Sequence, residues 1–247
     1  MKTTAATALA CTVLFASAVS AQNAPTRVLV SAGVRAVVEE LKPQCERALG
    51  HPLSIEVGST TDLRQKIESG EAFDVAILTT TAIDALAKTG KTGAGTPLAR
   101  AGIGVGIHAG DAKPDISTPE AFKRALLHAT TIAYAGDGAS RTYIDSMFQK
   151  MDIANDLKPT VVLTHGSAAA GEKAAATKGG IVLTLVSEIL PMKGVQLVGP
   201  FPSEVQNYIY FSAAAKGNNP DAAKLIAFLS SPSAASIYKA KGMEPGK

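Results

Sequence analysis

The strongest constraint on the fold of this chain is an alternation that begins at residue 27 and runs almost to its end. Short β-branched runs are each followed by apolar residues at helical spacing. "RVLVS" (27–31) leads into Val34, Val37, Val38 and Leu41, "LSIEV" (53–57) into Leu63 and Ile67, and "DVAIL" (74–78) into Ile83 and Leu86. Strands that are apolar throughout are buried on both faces, and the helices between them supply the cover, so the pattern predicts an α/β fold with a mostly parallel sheet. The second half repeats the theme in "TIAYA" (131–135), "TVVLT" (160–164) and "GGIVLTLVSEIL" (179–190). In "STPEAF" (117–122), Ser117 and Glu120 stand at capping-box spacing with Pro119 in the first turn. "NPDAAKLIAFLSS" and "SPSAASIYKAKG" predict two C-terminal helices, each opened by a polar residue before Pro, the second closed by Gly242.

In sheets of this kind ligands bind beyond the carboxyl ends of the strands. Ser31, the run Ser59, Thr60 and Thr61, and the run Thr79, Thr80 and Thr81 each follow a predicted strand and precede a predicted helix. All three sets therefore belong at one end of one sheet. Helix starts offer unpaired N–H groups and a partial positive charge, and neighbouring hydroxyls add neutral donors, a combination that suits an anion without a cationic side chain. Each Ser or Thr can equally well do no more than cap its own helix. The second half has its own small-residue loops, "GDGAS" (136–140), which opens a helix at about Arg141, and "HGSAAAG" (165–171), so Ala139, Ser140, Arg141 and His165 join the candidate ligand contacts. Arg35 and Arg141 stand near predicted helix starts, where a guanidinium can present two parallel donors to a carboxylate or lie in solvent.

Other functions are excluded by what surrounds these loops. The net charge is +3, the basic residues are scattered, aromatics make up 5% and Trp is absent, so neither a nucleic-acid surface nor a base-stacking platform is expected. His51, His108, His128 and His165 are dispersed without metal-ligand spacing, and no phosphate-loop, dinucleotide or Gly-x-Ser-x-Gly motif occurs; no metal or cofactor is expected. Lys2, the apolar stretch "AATALACTVLFASAV" and "AVSA" ending at Ala21 predict a cleavable signal peptide over residues 1–21 and a mature start near Gln22. Cys11 lies in that segment, which leaves Cys45 alone, read as a small buried apolar residue rather than a nucleophile.

Two stretches are specific enough to compare with a known family. "GSTTDLRQKIESGEAFDVAIL" (58–78) resembles the strand, hydroxyl turn and helix of periplasmic solute-binding proteins of the molybdate-binding type, and "AFLSSPSAASIYKAKGMEP" (227–245) resembles their terminal helices. The resemblance implies a type II bilobal periplasmic-binding-protein fold, two mixed-sheet lobes with a hinge of two crossing strands near residues 101–108 and 205–213. Lobe 1 would comprise residues 22–104 and 206–247, and lobe 2 residues 105–205. By the same resemblance Ser59 and Thr60 match the hydroxyl turn that holds the oxyanion, the first-loop Ser falls on Gly33 with Ser31 nearby, and the second-lobe Tyr falls near Leu183. The loop "GDGASR" (136–141) departs from the family's Pro-x-Gly-x-Tyr pattern, although Tyr143 is kept. "GDAKPDISTPEAFKRAL" (110–126), "IAYAGDGAS" (132–140) and "SEILPMKGVQLVGPFPSEVQ" (187–206) are similar to a divergent branch that includes periplasmic aconitate isomerase.

The expectation is a monomeric, periplasmic anion-binding protein that delivers a small oxyanion or carboxylate to the membrane subunits of an ABC importer. The alternative is an isomerase of a tricarboxylic acid on the same scaffold, which needs a base beside a substrate carbon; His165, Tyr134 and Asp137 are the candidates.

Overall fold

The computed structural model describes residues 24–246; the expected signal segment and Cys11 lie outside them. The first three units follow the predicted alternation: β1 (Thr26–Ser31), a 3-10 turn (Ala32–Val34) and α1 (Arg35–Leu49); β2 (Leu53–Gly58) and α2 (Thr60–Glu68); β3 (Val75–Thr79) and α3 (Thr80–Lys88). The long strand β4 (Thr96–His108) then leads into α4 (Pro119–Leu127). Next come β5 (Thr131–Ala135), α5 (Arg141–Lys150), β6 (Val161–Thr164), α6 (Ser167–Ala175), β7 (Gly180–Leu185), the single-turn α7 (Val186–Ile189) and β8 (Val195–Pro200). A second 3-10 turn (Ser203–Val205), β9 (Tyr208–Ala215), α8 (Pro220–Leu229), α9 (Pro232–Ala240) and the short β10 (Glu244–Pro245) complete the described chain.

The strands lie in the order β2-β1-β3-β9-β4-β7-β5-β6, with β8 and β10 also paired to β4. The sheet is mixed. β1 runs parallel to β2 and β3, and β5 parallel to β6 and β7, while β4 and β9 run against their neighbours. Strand β4 ties the two halves together: residues 96–102 pair with β9 and residues 103–108 with β7 and β8. The return crossing is a looped segment, residues 201–207, where the Gln206 side chain clasps Ile103 by accepting from its N–H and donating to its carbonyl, both at 3.0 Å. Part of the stretch expected to cross as a strand (205–213) is therefore this loop, where the Gln206 side chain meets Ile103, and β9 begins only at Tyr208.

Helices α8 and α9 return to pack on α1 in the first half. Val28, Val30, Val75 and Ile77 sit wholly inside, as expected for strands covered on both faces, and Cys45 is buried as read, its thiol pushed up to about 11 by desolvation. One helix start differs from its reading. Thr118, not Ser117, caps α4, its hydroxyl accepting from Ala121 N at 3.2 Å, while the Ser117 N–H is drawn to the Asp115 carboxylate at 2.9 Å. Pro119 at the first helical position fits directly behind Thr118.

Candidate functional site

Strand ends from both halves face one another across a narrow cavity of about 40 Å³. One wall is the end of β1 with its 3-10 turn (Ser31, Ala32, Gly33), the start of α2 (Ser59, Thr60) and Phe211 of β9. The other is Ala135, Gly138, Ala139 and Ser140 before α5, Gly166 and Ser167 at α6, and Thr184, Leu185 and Glu188 around α7. At roughly 10–15 Å³ per water the space holds a few waters, enough for a compact anion or for one charged group of a larger ligand. The halves already touch around it: Ser187 Oγ donates to the Gly33 carbonyl at 2.8 Å in a buried bond, and Thr61 Oγ1 donates to the Asp137 carbonyl at 3.2 Å.

The lining is rich in donors and holds no Lys, Arg or His. Ser59 does what such residues usually do, its hydroxyl accepting from Asp62 N at 3.0 Å to cap α2, and it lines the cavity as well. Thr60 Oγ1 donates to Ser31 Oγ at 3.0 Å, which leaves the Ser31 proton for another acceptor. No side chain caps the 3-10 turn at Ser31, α5 at Ser140 or α6 at Gly166. Gly166 adopts φ 75°, which favours glycine, and its N–H donates to Asp137 Oδ1 at 2.8 Å. Gly33 is required for a different reason. A Cβ there would lie 2.5 Å from the Phe211 ring and 2.8 Å from Leu185, so the serine that the resemblance puts at this position has no room.

Sequence reading missed the one ionisable side chain in the lining, Glu188. Its Oε1 accepts from Ser167 Oγ at 2.9 Å, and its Oε2 accepts from Thr184 Oγ1 and from Leu185 N at 3.4 Å. Burial pushes this carboxyl above the ordinary carboxylate range, against the opposing pull of those three donors, and the charge of Asp137 adds to the upward push. The only cue available was its position in the segment after an apolar strand, which Ser187 shares.

Other candidates are placed elsewhere. Thr79 and Thr80 line an adjoining open groove of about 730 Å³ with Arg64, Tyr208 and Tyr210, not the cavity. Their hydroxyls are already engaged, Thr80 with Ser212 at 2.9 Å and Thr79 with Thr81 at 3.3 Å. Arg141 pairs with Asp145 and lies over the Tyr134 ring, and Arg35 pairs with Glu39 at 2.7 Å in solvent. Leu183 is buried in the core, and Tyr143 donates to the Val205 carbonyl at 2.8 Å in the return crossing. Of the three candidate bases, none lines the cavity. Tyr134 is buried against Asp145, which with desolvation pushes its hydroxyl far up, and His165 is 80% exposed. The His165 ring lies between Asp62 (Nε2, 3.3 Å) and Asp137 (Nδ1, 3.5 Å), bridging α2 and the loops before α5 and α6. These three groups lie within 4.8 Å of one another, although the sequence showed no ligand spacing. Each ring nitrogen faces its own carboxylate, the geometry of a bridging imidazole rather than of one nitrogen sharing an ion with both.

A mixed α/β sheet whose strand ends from both halves line one donor-rich cavity fits the periplasmic-binding-protein fold. Residues 26–244 match the family model for bacterial extracellular solute-binding proteins, and the chain belongs to that family. It is 29% identical over 229 residues to an aconitate isomerase of a Pseudomonas species, covering 88% of this chain and 87% of that one. Among solved structures it is similar to the periplasmic molybdate-binding protein of Azotobacter vinelandii (TM-score 0.71, 16% identity, covering 90% and 100% of the two chains). It is also similar to the sulfate-binding protein of Mycobacterium tuberculosis (TM-score 0.68, 16% identity, 89% and 87%). At such identities these structures establish the fold, not the ligand.

Proposed function

We propose that this chain is an exported solute-binding protein that traps a small oxyanion or carboxylate between its lobes and delivers it to an ABC-type importer. The observation that carries this reading is the narrow cavity, whose hydroxyls and uncapped helix starts come from both halves and whose lining has no cationic side chain. Ser31, Ser59 and Thr60 supply hydroxyls from one side, Ala139 and Ser140 backbone N–H groups from the other, and Gly33 gives access. Thr79, Thr80, Arg141 and His165 are left out of the contact set. Residues 22–104 with 206–247, and 105–205, act as the two lobes, hinged where β4 changes partners. Titration calorimetry with molybdate, tungstate, sulfate, phosphate, citrate and both aconitates tests this: at least one anion binds, and the pair Ser31→Ala and Thr60→Val weakens it tenfold or more. Binding unaffected by that pair would remove the cavity from the account. The chain from its native host is expected to start near Gln22, which mass spectrometry reads directly.

The isomerase reading gains one specific support, since the cavity does contain a group able to take a proton, Glu188. Proton NMR of trans-aconitate incubated with the protein decides it: turnover abolished by Glu188→Gln in a folded variant would move the chain to the isomerases.

A further inference from the structure

Glu188 is at odds with the rest of its surroundings. Every other polar group of the cavity suits a negative charge, yet this carboxyl is the one ionisable side chain in the lining. It is also held firmly in place. Three donors, one from α6 and two from the last residues of β7, fix both oxygens, and α7 is itself strapped to the opposite half by Ser187 at 2.8 Å. Three accepted bonds use three of the roughly four lone-pair sites of a carboxylate and leave about one free. A fully deprotonated oxyanion beside it has no hydrogen to offer that site and meets a like charge in a partly buried space.

We propose that Glu188 sets the ligand class of this cavity: it selects an anion that carries an O–H group, a hydroxycarboxylate or a singly protonated oxyanion, over fully deprotonated oxyanions. The inference rests on the anion-binding reading above and narrows it. A ligand hydroxyl donates to the free acceptor site of Glu188 while its charged oxygens meet the Ser31 hydroxyl and the helix starts opposite. A dianion without a proton binds only when Glu188 itself takes one up and turns from acceptor to donor. Binding of such a dianion therefore consumes one proton, and its affinity falls as pH rises. The other charged group whose field Glu188 feels is Asp137, which shifts it in the same direction as burial does. The upward shift of Glu188 from the ordinary range brings this exchange toward neutral pH.

The test is titration calorimetry of the full mature chain with phosphate and citrate, which carry O–H groups, and with sulfate and molybdate, which do not, from pH 5.5 to 8.5. The expected result for the native chain is at least tenfold tighter binding of phosphate or citrate than of sulfate or molybdate at pH 7.5. Affinity for the latter two should fall as pH rises, approaching tenfold per pH unit above the Glu188 pKa. Glu188→Gln, neutral and of the same size, should raise sulfate or molybdate affinity tenfold or more and flatten its pH profile. Ser167→Ala removes one donor to the carboxylate, so the fall in sulfate affinity should begin at higher pH; this variant keeps the test available if Glu188→Gln does not fold. Preference for sulfate or molybdate with a flat profile in the native chain overturns the proposal while leaving anion binding intact. Absence of binding by every anion in both the native chain and Glu188→Gln overturns the anion-binding reading and this proposal together.

Discussion

The narrow cavity and the wider groove beside it share Thr60, Gly138 and Ala139, yet they differ in charge and in where their donors come from. In the groove, Thr80 bonds Ser212 and Thr79 bonds Thr81, each pair using one proton and keeping one, beside the charged side chains of Arg64 and Glu68. In the cavity, Ser31 receives the Thr60 proton and keeps its own, and the helix starts at Ser140 and Gly166 have no side-chain cap. A hydroxyl after a strand is thus only an opportunity. The strand ends at the cavity meet donors from the opposite half of the chain, and the end that abuts β9 meets charged and aromatic side chains instead.

Filling the cavity should have the largest effect. Gly33→Ser drives a side chain into Phe211 and Leu185, and overpacking of this kind costs about 1–3 kcal/mol. Denaturant unfolding should show that loss, and calorimetry should show anion binding abolished; a variant of native stability and affinity would mean that Phe211 does not form the wall described. The matching change in the groove, Thr80→Val, leaves Ser212 without its 2.9 Å partner and should cost about 1 kcal/mol while anion affinity stays within twofold. Loss of binding in this variant would erase the distinction between the two regions.

A smaller effect lies in the pH dependence of the unliganded chain. Because the Glu188 pKa is raised on folding, the folded state holds its proton when the unfolded chain has already released it. The contribution of this group is full below the unfolded glutamate pKa, about 4.3, and is lost as pH rises through the higher folded value. Unfolding free energies measured across that window should fall more for the native chain than for Glu188→Gln; parallel curves would contradict a desolvated Glu188.

Most of the architecture was legible because buried strands and amphipathic helices announce themselves through spacing, and the runs at 27–31, 74–78 and 131–135 all became strands. β8 was not, since "VQLVGP" is half-buried up to its exposed last residue and neither alternates cleanly nor runs apolar. In the site, Ser31, Ser59, Thr60, Ala139 and Ser140 could be placed from strand-to-helix junctions alone. What could not be read were facts of orientation. His165 shares a junction with Ser167, but only Ser167 turns inward, and Glu188 enters the lining because α7 begins one residue after β7 ends.

The most direct test of the cavity as the binding site is a crystal structure of the chain with the anion that binds it most tightly, using anomalous scattering where the anion contains a heavy atom. The account predicts density between Ser31, Ser59 and Thr60 on one side and residues 138–140 and 166–167 on the other, within hydrogen-bonding reach of both lobes. Density in the groove beside Thr79, Thr80 and Tyr208, with the cavity occupied by water alone, would contradict it.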